Sequence, residues 1–179
     1  MLLTDETNVA FKVHRQLINS LITSYIDVKY PSRLEEFKIV FEREEIGGID
    51  EYTRMYINDI PTIVEELHIN FLNSEFSISN GKLTRKKSKH HLRESGAVYT
   101  LKEITSEMVR NTIEKATQEK VKPSDITCLD FASGTGRFYF EALEVLNRKY
   151  KLSLQNIVCK NLFAIDIDNT ALSVLRCKA

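Results

Sequence analysis

Ile126-Thr127-Cys128-Leu129-Asp130-Phe131-Ala132-Ser133-Gly134-Thr135-Gly136-Arg137 is the stretch that decides the fold. Its first six residues form a short apolar run with β-branched members, the pattern of a buried parallel strand. Small residues and glycines follow, and then Phe138, Ala142, Leu143, Val145 and Leu146 recur at helical spacing. A strand that enters a helix through small residues lets the backbone approach a ligand closely. The free amides at the helix start favour a carboxylate or a phosphate. No Gly-Lys-Ser/Thr follows, which disfavours a phosphate-binding P-loop. A Gly-x-Gly alone decides little, since ordinary turns use it too.

Toward the C-terminus, Ile157-Val158 and Leu162-Phe163-Ala164-Ile165 read as a second strand leading to Asp166-Ile167-Asp168. A helix carrying Ala171, Leu172, Val174 and Leu175 comes next. An acidic residue at the end of strand two can accept both ribose hydroxyls of a nucleoside. The distance from Asp130 to Asp166 exceeds the roughly 20 residues of a dinucleotide fingerprint. A long helix followed by Lys149-Tyr150-Lys151-Leu152-Ser153 supplies the insertion. A structural aspartate in an αβ turn accounts for either carboxylate alone, less readily for both. Upstream, Thr100-Leu101-Lys102-Glu103 has the form of a capping box. Ile104, Met108, Thr112, Ile113 and Ala116 give that helix its apolar stripe, and Pro123-Ser124-Asp125 ends the unit.

Residues 8 to about 75 read as helical. Val13, Leu17, Leu21 and Tyr25, widened by Ile18, Ile22 and Ile26, form one stripe. Pro31-Ser32 and Gly47-Gly48 break the pattern, and a further run carries Tyr52, Met55, Tyr56, Ile63, Leu67 and Phe71, with Asp59 placed to cap a helix near Pro61. Asp27, Glu36 and Lys38 mimic a nuclease metal site, but that chemistry needs carboxylates converging from adjacent strands. Their helical setting favours packing or partner contact. Between Phe76-Ser77-Ile78 and Leu83-Thr84, Asn80-Gly81 signals a short hairpin. Lys82, Arg85, Lys86, Lys87, Lys89 and Arg93 then make residues 76–95 a basic linker or a phosphate-contacting strip. His90 and His91 lack ligand-spaced partners, so no metal site is expected.

The chain of 179 residues is 42% apolar and 28% charged, enough for a core. Its zero net charge hides a division, −7 over residues 1–75 and +7 over 76–179. Such a division suggests that one part meets a polyanion, or it reflects solvated helix faces. No apolar run approaches the ~18 residues of a membrane span, and the acidic start, Thr4-Asp5-Glu6, is not a signal peptide. Cys128, Cys159 and Cys177 show no Cys-x-x-Cys spacing, and two fall in expected strands. Reduced thiols and a cytoplasmic protein are expected.

Three stretches in order, Gly96-Ala97-Val98-Tyr99-Thr100-Leu101, Leu129-Asp130-Phe131-Ala132-Ser133-Gly134-Thr135-Gly136-Arg137-Phe138 and Ala164-Ile165-Asp166-Ile167-Asp168, resemble motifs of N6-adenine-specific DNA methyltransferases of restriction-modification systems. The resemblance covers about residues 90–179. It implies an α/β Rossmann-like S-adenosylmethionine-dependent methyltransferase fold over 96–179, with an incomplete sheet, preceded by an α-helical region over 1–75. By the same resemblance Tyr99 and Thr100 hold the methionine end of S-adenosyl-L-methionine. Asp130 with Ala132, Ser133, Gly134, Thr135 and Gly136 cradles its amino acid part, Asp166 binds the ribose hydroxyls, and Ile167 packs on the adenine. Leu101 and Phe131 stand where the family usually has proline.

The family's Asn/Asp-Pro-Pro-Tyr/Phe motif, which holds the flipped adenine, is absent, since the prolines are Pro31, Pro61 and Pro123. No catalytic residue is therefore assigned. The expectation is an N-terminal fragment that supplies cofactor contacts without turnover. Double-stranded DNA is its partner through the full-length protein, alongside restriction-modification subunits, and open sheet edges favour self-association. Other readings are a methyltransferase acting on RNA or protein, and a non-catalytic helical interaction module with a remnant cofactor fold.

Overall fold

Helix α1 (Asp5–Lys29) follows from the long apolar periodicity at the start of the chain. Its buried row runs through His14, Ile18, Leu21, Ile22, Tyr25 and Ile26. Val13 is half-exposed, so the stripe is turned from the expected Val13–Leu17 line, because His14 faces inward onto His68. The computed structural model describes residues 5–33, 46–79, 82–87 and 100–179. These are mostly helical with a small mixed α/β content, and they form no closed barrel. Glu36, Lys38, the Asn80-Gly81 turn, Lys89 to Arg93 and Gly96 to Tyr99 lie outside the described residues. The chain divides into two compact units, Met1–Val98 with Arg176–Lys178, and Tyr99–Leu175 with Ala179.

In the first unit, a 3-10 turn (Pro31–Arg33) ends α1 at the expected proline break. Helix α2 (Ile49–Met55) begins after Gly48, whose φ of 79° marks the left-handed turn that glycine permits. Helix α3 (Ile60–Leu72) begins after Asp59 with Pro61 in its first turn, as the sequence suggested, but the Asp59 side chain makes no cap hydrogen bond. It buries Ile60, Val64, His68 and Phe71. The Ser24 hydroxyl donates to Asp50 Oδ1 at 2.7 Å and ties α1 to α2.

Strands β1 (Ser74–Ser79) and β2 (Lys82–Lys87) then pair antiparallel, from Ser74↔Lys87 to Ser79↔Lys82. Part of the expected 76–95 linker is therefore a strand. The alternation of Phe76 and Ile78 against Thr84, with a turn signal between, outweighs the charge run. Phe76 packs on Phe71 with ring centroids 4.8 Å apart and the planes tilted by 31°, seating the hairpin against the helical layer of this unit.

The second unit orders helix α4 (Lys102–Gln118), a 3-10 turn (Pro123–Asp125), strand β3 (Cys128–Asp130) and helix α5 (Arg137–Arg148). A helical turn (Leu154–Asn156) runs into a π-helical turn (Ile157–Asn161), strand β4 (Leu162–Ala164) and helix α6 (Asn169–Lys178). Strands β3 and β4 pair parallel in the register Cys128↔Leu162, Leu129↔Phe163, Asp130↔Ala164. Ile113, Ile126, Tyr139, Ala142, Leu146, Ile157, Leu162 and Leu175 form the core. Asn161 braces the entry to β4, donating from Nδ2 to the Ser124 and Ile126 carbonyls at 3.1 and 2.7 Å.

Three local expectations change here. The capping box does not form: the residue at the cap of α4 is Leu101, and no side chain caps it. Thr100 lies one residue too early to reach the helix amides. Ile157-Val158 belongs to the π-helical turn rather than to a strand, and this turn with its predecessor fills the long gap before Asp166. Cys159 is exposed on that turn, while Cys128 does sit in a strand. Parallel sheets are normally covered on both faces, yet Leu129, Phe131, Phe163 and Ile165 are all exposed.

Candidate functional site

Backbone geometry at the β3–α5 turn follows from its two glycines. Gly134 has φ +52° and Gly136 φ +91°, values that side-chain-bearing residues rarely adopt. A Cβ on Gly136 would lie 2.9 Å from Leu175 Cγ and from Phe140 Cε2, so this glycine is required by packing. A Cβ on Gly134 would meet nothing within 4 Å. Its surroundings are open. The Gly136 amide donates to the Ser133 carbonyl at 2.8 Å and closes the turn, and the Ser133 amide donates to the Ile165 carbonyl at 3.1 Å. The loop is thus hooked to the chain leaving β4.

Asp166 completes that hook. Its Oδ2 accepts the Gly134 N–H at 2.7 Å, and its Oδ1 accepts the Asp168 N–H at 2.8 Å. Each carboxylate oxygen keeps a second lone pair. Asp168 has a different task. Its Oδ1 accepts the Thr170 and Ala171 amides at 2.8 and 3.3 Å and so caps α6. Of the two aspartates after β4, one matches the structural role of an αβ turn and the other faces the glycine loop.

Asp130 ends β3. Its Oδ1 accepts the Ala132 N–H at 3.3 Å, while its Oδ2 is buried without a partner. Burial raises its carboxyl above the ordinary aspartate value, opposed by the Ala132 amide and reinforced by the Asp166 charge. The Ser133 hydroxyl is also buried and unpartnered. Two polar atoms in one short loop therefore lack a hydrogen-bonding group. Such atoms are few in folded proteins and call for an ordered water, an ion, a ligand or local strain to account for them; Asn19 Oδ1 and Thr53 Oγ1 of the first unit are of the same kind.

The sequence-derived residues separate accordingly. Asp130, Ala132, Ser133, Gly134, Thr135, Gly136 and Asp166 converge in one cluster bound together by the backbone hydrogen bonds above. Ile167 follows immediately and is 100% exposed, a large apolar side chain free to take a flat partner. Thr100 is half-buried ahead of α4, and among the described residues it makes no hydrogen bond to the loop. Tyr99 lies outside the described residues.

Beside the loop is a cavity of about 470 Å³, walled by Met108, Val109, Phe131, Phe138, Tyr139 and Phe163 among others. Asp130 is its carboxylate. Sequence reading missed this feature because Met108 and Phe138 sit at helical spacing and look like core residues. Their signal was present only as an apolar stripe too wide for one neighbour. Among the described residues no group of three or more His, Cys, Asp or Glu is placed to hold a metal ion, and no helix is long and apolar enough to cross a membrane. Compared with known protein families, curated proteins and solved structures, the chain matches none.

Proposed function

We propose that this chain carries the S-adenosyl-L-methionine-binding part of a DNA adenine-N6 methyltransferase of a restriction-modification system, built on a Rossmann-like methyltransferase fold. The observation that carries the reading is the orphaned pair, Asp130 Oδ2 and Ser133 Oγ, inside a strand–glycine loop–helix turn latched to Asp166. The three ordered motifs supply the rest. The residues fit the cofactor group by group. Asp130 and Ser133 would offer an anionic and a hydroxyl partner to its ammonium, and the first amides of α5 would serve its carboxylate. The spare lone pairs of Asp166 suit the ribose hydroxyls, and Ile167 suits the adenine face. Tyr99 and Thr100 enter on the motif resemblance.

When bound, the cofactor supplies a methyl group made electrophilic by its sulfonium sulfur. The chain's own residues bind and orient. Gly134 keeps the loop open on the ligand side, Gly136 lets α5 close on the core, and Asp166 holds the loop in register with β4. The apolar side chains beside the loop give the site a wall of low polarity on one side. The target-holding motif is not among these 179 residues, so the chain alone is expected to bind without turnover. DNA as the substrate rests on the resemblance.

Isothermal titration of the purified chain with S-adenosylmethionine tests the cofactor reading. Saturable one-to-one binding, lost in Asp166→Ala and in Asp130→Ala, is expected. A wild-type chain with no binding heat and no thermal stabilisation would overturn it. Methyl transfer to adenine-containing duplex DNA by the chain alone would overturn the claim that it is inactive by itself.

A further inference from the structure

The hairpin of the first unit lies outside the proposed cofactor site, and its composition is uneven. Over β1 and β2 there are four cations, Lys82, Arg85, Lys86 and Lys87, and one anion, Glu75. Residues 84–87 are all exposed. Glu75 is the cross-strand neighbour of Lys86, and Ser74 that of Lys87. Neither Lys86 nor Lys87 forms an ion pair with any described residue. The Arg85 Nε donates to Ser74 Oγ at 2.8 Å, which fixes that side chain while its other guanidinium N–H groups stay available.

Ordering distinguishes this strip from a solvated run of lysines. Ser74 is buried, Phe76 packs on Phe71, and six Cα pairs hold the two strands in register. The charges are therefore presented from a seated ribbon, and binding does not first have to order a coil. Side chains alternate along β2, so Lys86 shares one face with an exposed hydroxyl pair, Ser77 and Thr84, hydrogen-bonded at 2.7 Å, while Arg85 and Lys87 emerge on the face of Ser74 and Phe76. Lysine, arginine, serine and threonine are the side chains that contact nucleic-acid phosphates. A two-stranded ribbon also has a shape that duplex grooves admit. Basic strips also bind anionic membranes by charge, so it is the ribbon shape, suited to a groove, that favours the duplex over a lipid surface. Edge-strand lysines also guard against edge-to-edge pairing, but one or two suffice for that.

We infer that strand β2, through Arg85, Lys86 and Lys87, is a contact site for the phosphate backbone of duplex nucleic acid. It does not rest on the cofactor reading. The sequence-independent part of such binding is set by counterion release, with a slope of about −0.9 in log affinity against log salt for each phosphate neutralised. Lys86 and Lys87 together account for a slope of about −1.8, or a loss of about 12-fold in affinity between 50 and 200 mM salt.

Fluorescence anisotropy of the full chain with a labelled 20-base-pair duplex, over that salt range, measures it. The variant Lys86→Gln/Lys87→Gln is expected to bind at least 10-fold more weakly at 50 mM salt and to flatten the slope by about 1.8. Lys86→Arg/Lys87→Arg is expected to keep both. Circular dichroism confirms that the variants retain their helices. Unchanged affinity and slope in the glutamine variant overturn the inference, as does an aggregating variant with undiminished DNA binding, which assigns the lysines to edge protection. Binding to phosphatidylserine vesicles without binding to duplex also overturns it. Calorimetry with S-adenosylmethionine on the same variants keeps the two readings separable, since the lysines and the glycine loop belong to different units of the chain.

Discussion

Acidification from pH 7.5 to 5 is expected to loosen α1 and α3 selectively, and the cause is His14. Its Nε2 lies 3.2 Å from His68 Nδ1, and its ring stacks on Phe71 at 4.0 Å with an interplanar angle of 3°. Both imidazoles are buried. With both neutral, one nitrogen of the facing pair donates and the other accepts. A second proton would set two N–H groups, and then two cations, against each other. Burial first, and the His68 charge second, push His14 from its ordinary 6.5 down to about 3. The unfolded chain therefore binds the proton more readily than the folded one. Stability from this group is complete above pH 6.5 and is lost as pH falls from 6.5 toward 3. The whole difference corresponds to about 5 kcal/mol, of which about 2 kcal/mol is gone at pH 5.

Hydrogen–deuterium exchange by mass spectrometry, corrected for intrinsic rates, reads α1 and α3 peptides separately from the second unit. A loss of protection of about 30-fold in those peptides at pH 5 is the expected result, since 2 kcal/mol is a factor of about 30. His14→Phe preserves the stack on Phe71 and removes the titration. It leaves His68 Nδ1 buried without this partner, so it is expected to lower stability at pH 7.5 by about 1–3 kcal/mol and to reduce the pH dependence by the His14 share. Equal slopes in the two proteins, or protection unchanged at pH 5 in the wild type, would refute the reasoning.

Four further outcomes follow from the second unit. Gly136→Ala is expected to destabilise it by about 2–4 kcal/mol, because the methyl meets Leu175 and Phe140 at 2.9 Å in a left-handed backbone. Gly134→Ala should cost only about 1 kcal/mol yet weaken cofactor binding, and thermal melts with calorimetry separate the two. Asp130→Asn is expected to raise the melting temperature at neutral pH, since burial disfavours the charge it removes, while reducing affinity for S-adenosylmethionine. A melting temperature lowered along with affinity would contradict that account. The exposed face of Leu129, Phe131, Phe163 and Ile165 predicts concentration-dependent self-association in sedimentation velocity, weakened by Phe131→Ser, and a single monomeric species would count against it.

The sequence made the second unit legible where local signals agreed. Ile126 to Leu129 is a mostly apolar run with β-branched members, Gly134 and Gly136 mark a turn, and the residues after Arg137 repeat at helical spacing. Each level pointed to strand, loop and helix, and all three formed. It failed where a local signal was outvoted by a neighbour. Thr100 and Glu103 have the right spacing for a capping box, but the helix begins beyond Leu101. Ile157 and Val158 have high strand propensity, yet the strand is limited to the three residues that find partners on β3. His14 could not be read as inward-facing from α1 alone, because its partner His68 is supplied by a helix far along the chain. The unpartnered oxygens of Asp130 and Ser133 are likewise properties of the assembled loop, and no sequence pattern contains them.

Those two oxygens also give the proposed site its logic. Asp166 is satisfied in the free protein, with one amide on each oxygen. It holds the loop in shape before any ligand arrives and still has lone pairs to offer. Asp130 Oδ2 and Ser133 Oγ are the opposite case, buried and unsatisfied, each costing about 1–3 kcal/mol while it remains so. A ligand that brought donors to both atoms would relieve both costs. An isosteric ligand without the donors fills the same space and relieves neither. Rejection of such a ligand comes from the unsatisfied groups it leaves behind rather than from any clash. On the proposed reading the work is divided between two carboxylates of the same type: Asp166 holds the loop, and Asp130, its carboxyl raised by burial, is the group that would meet the ligand's charge.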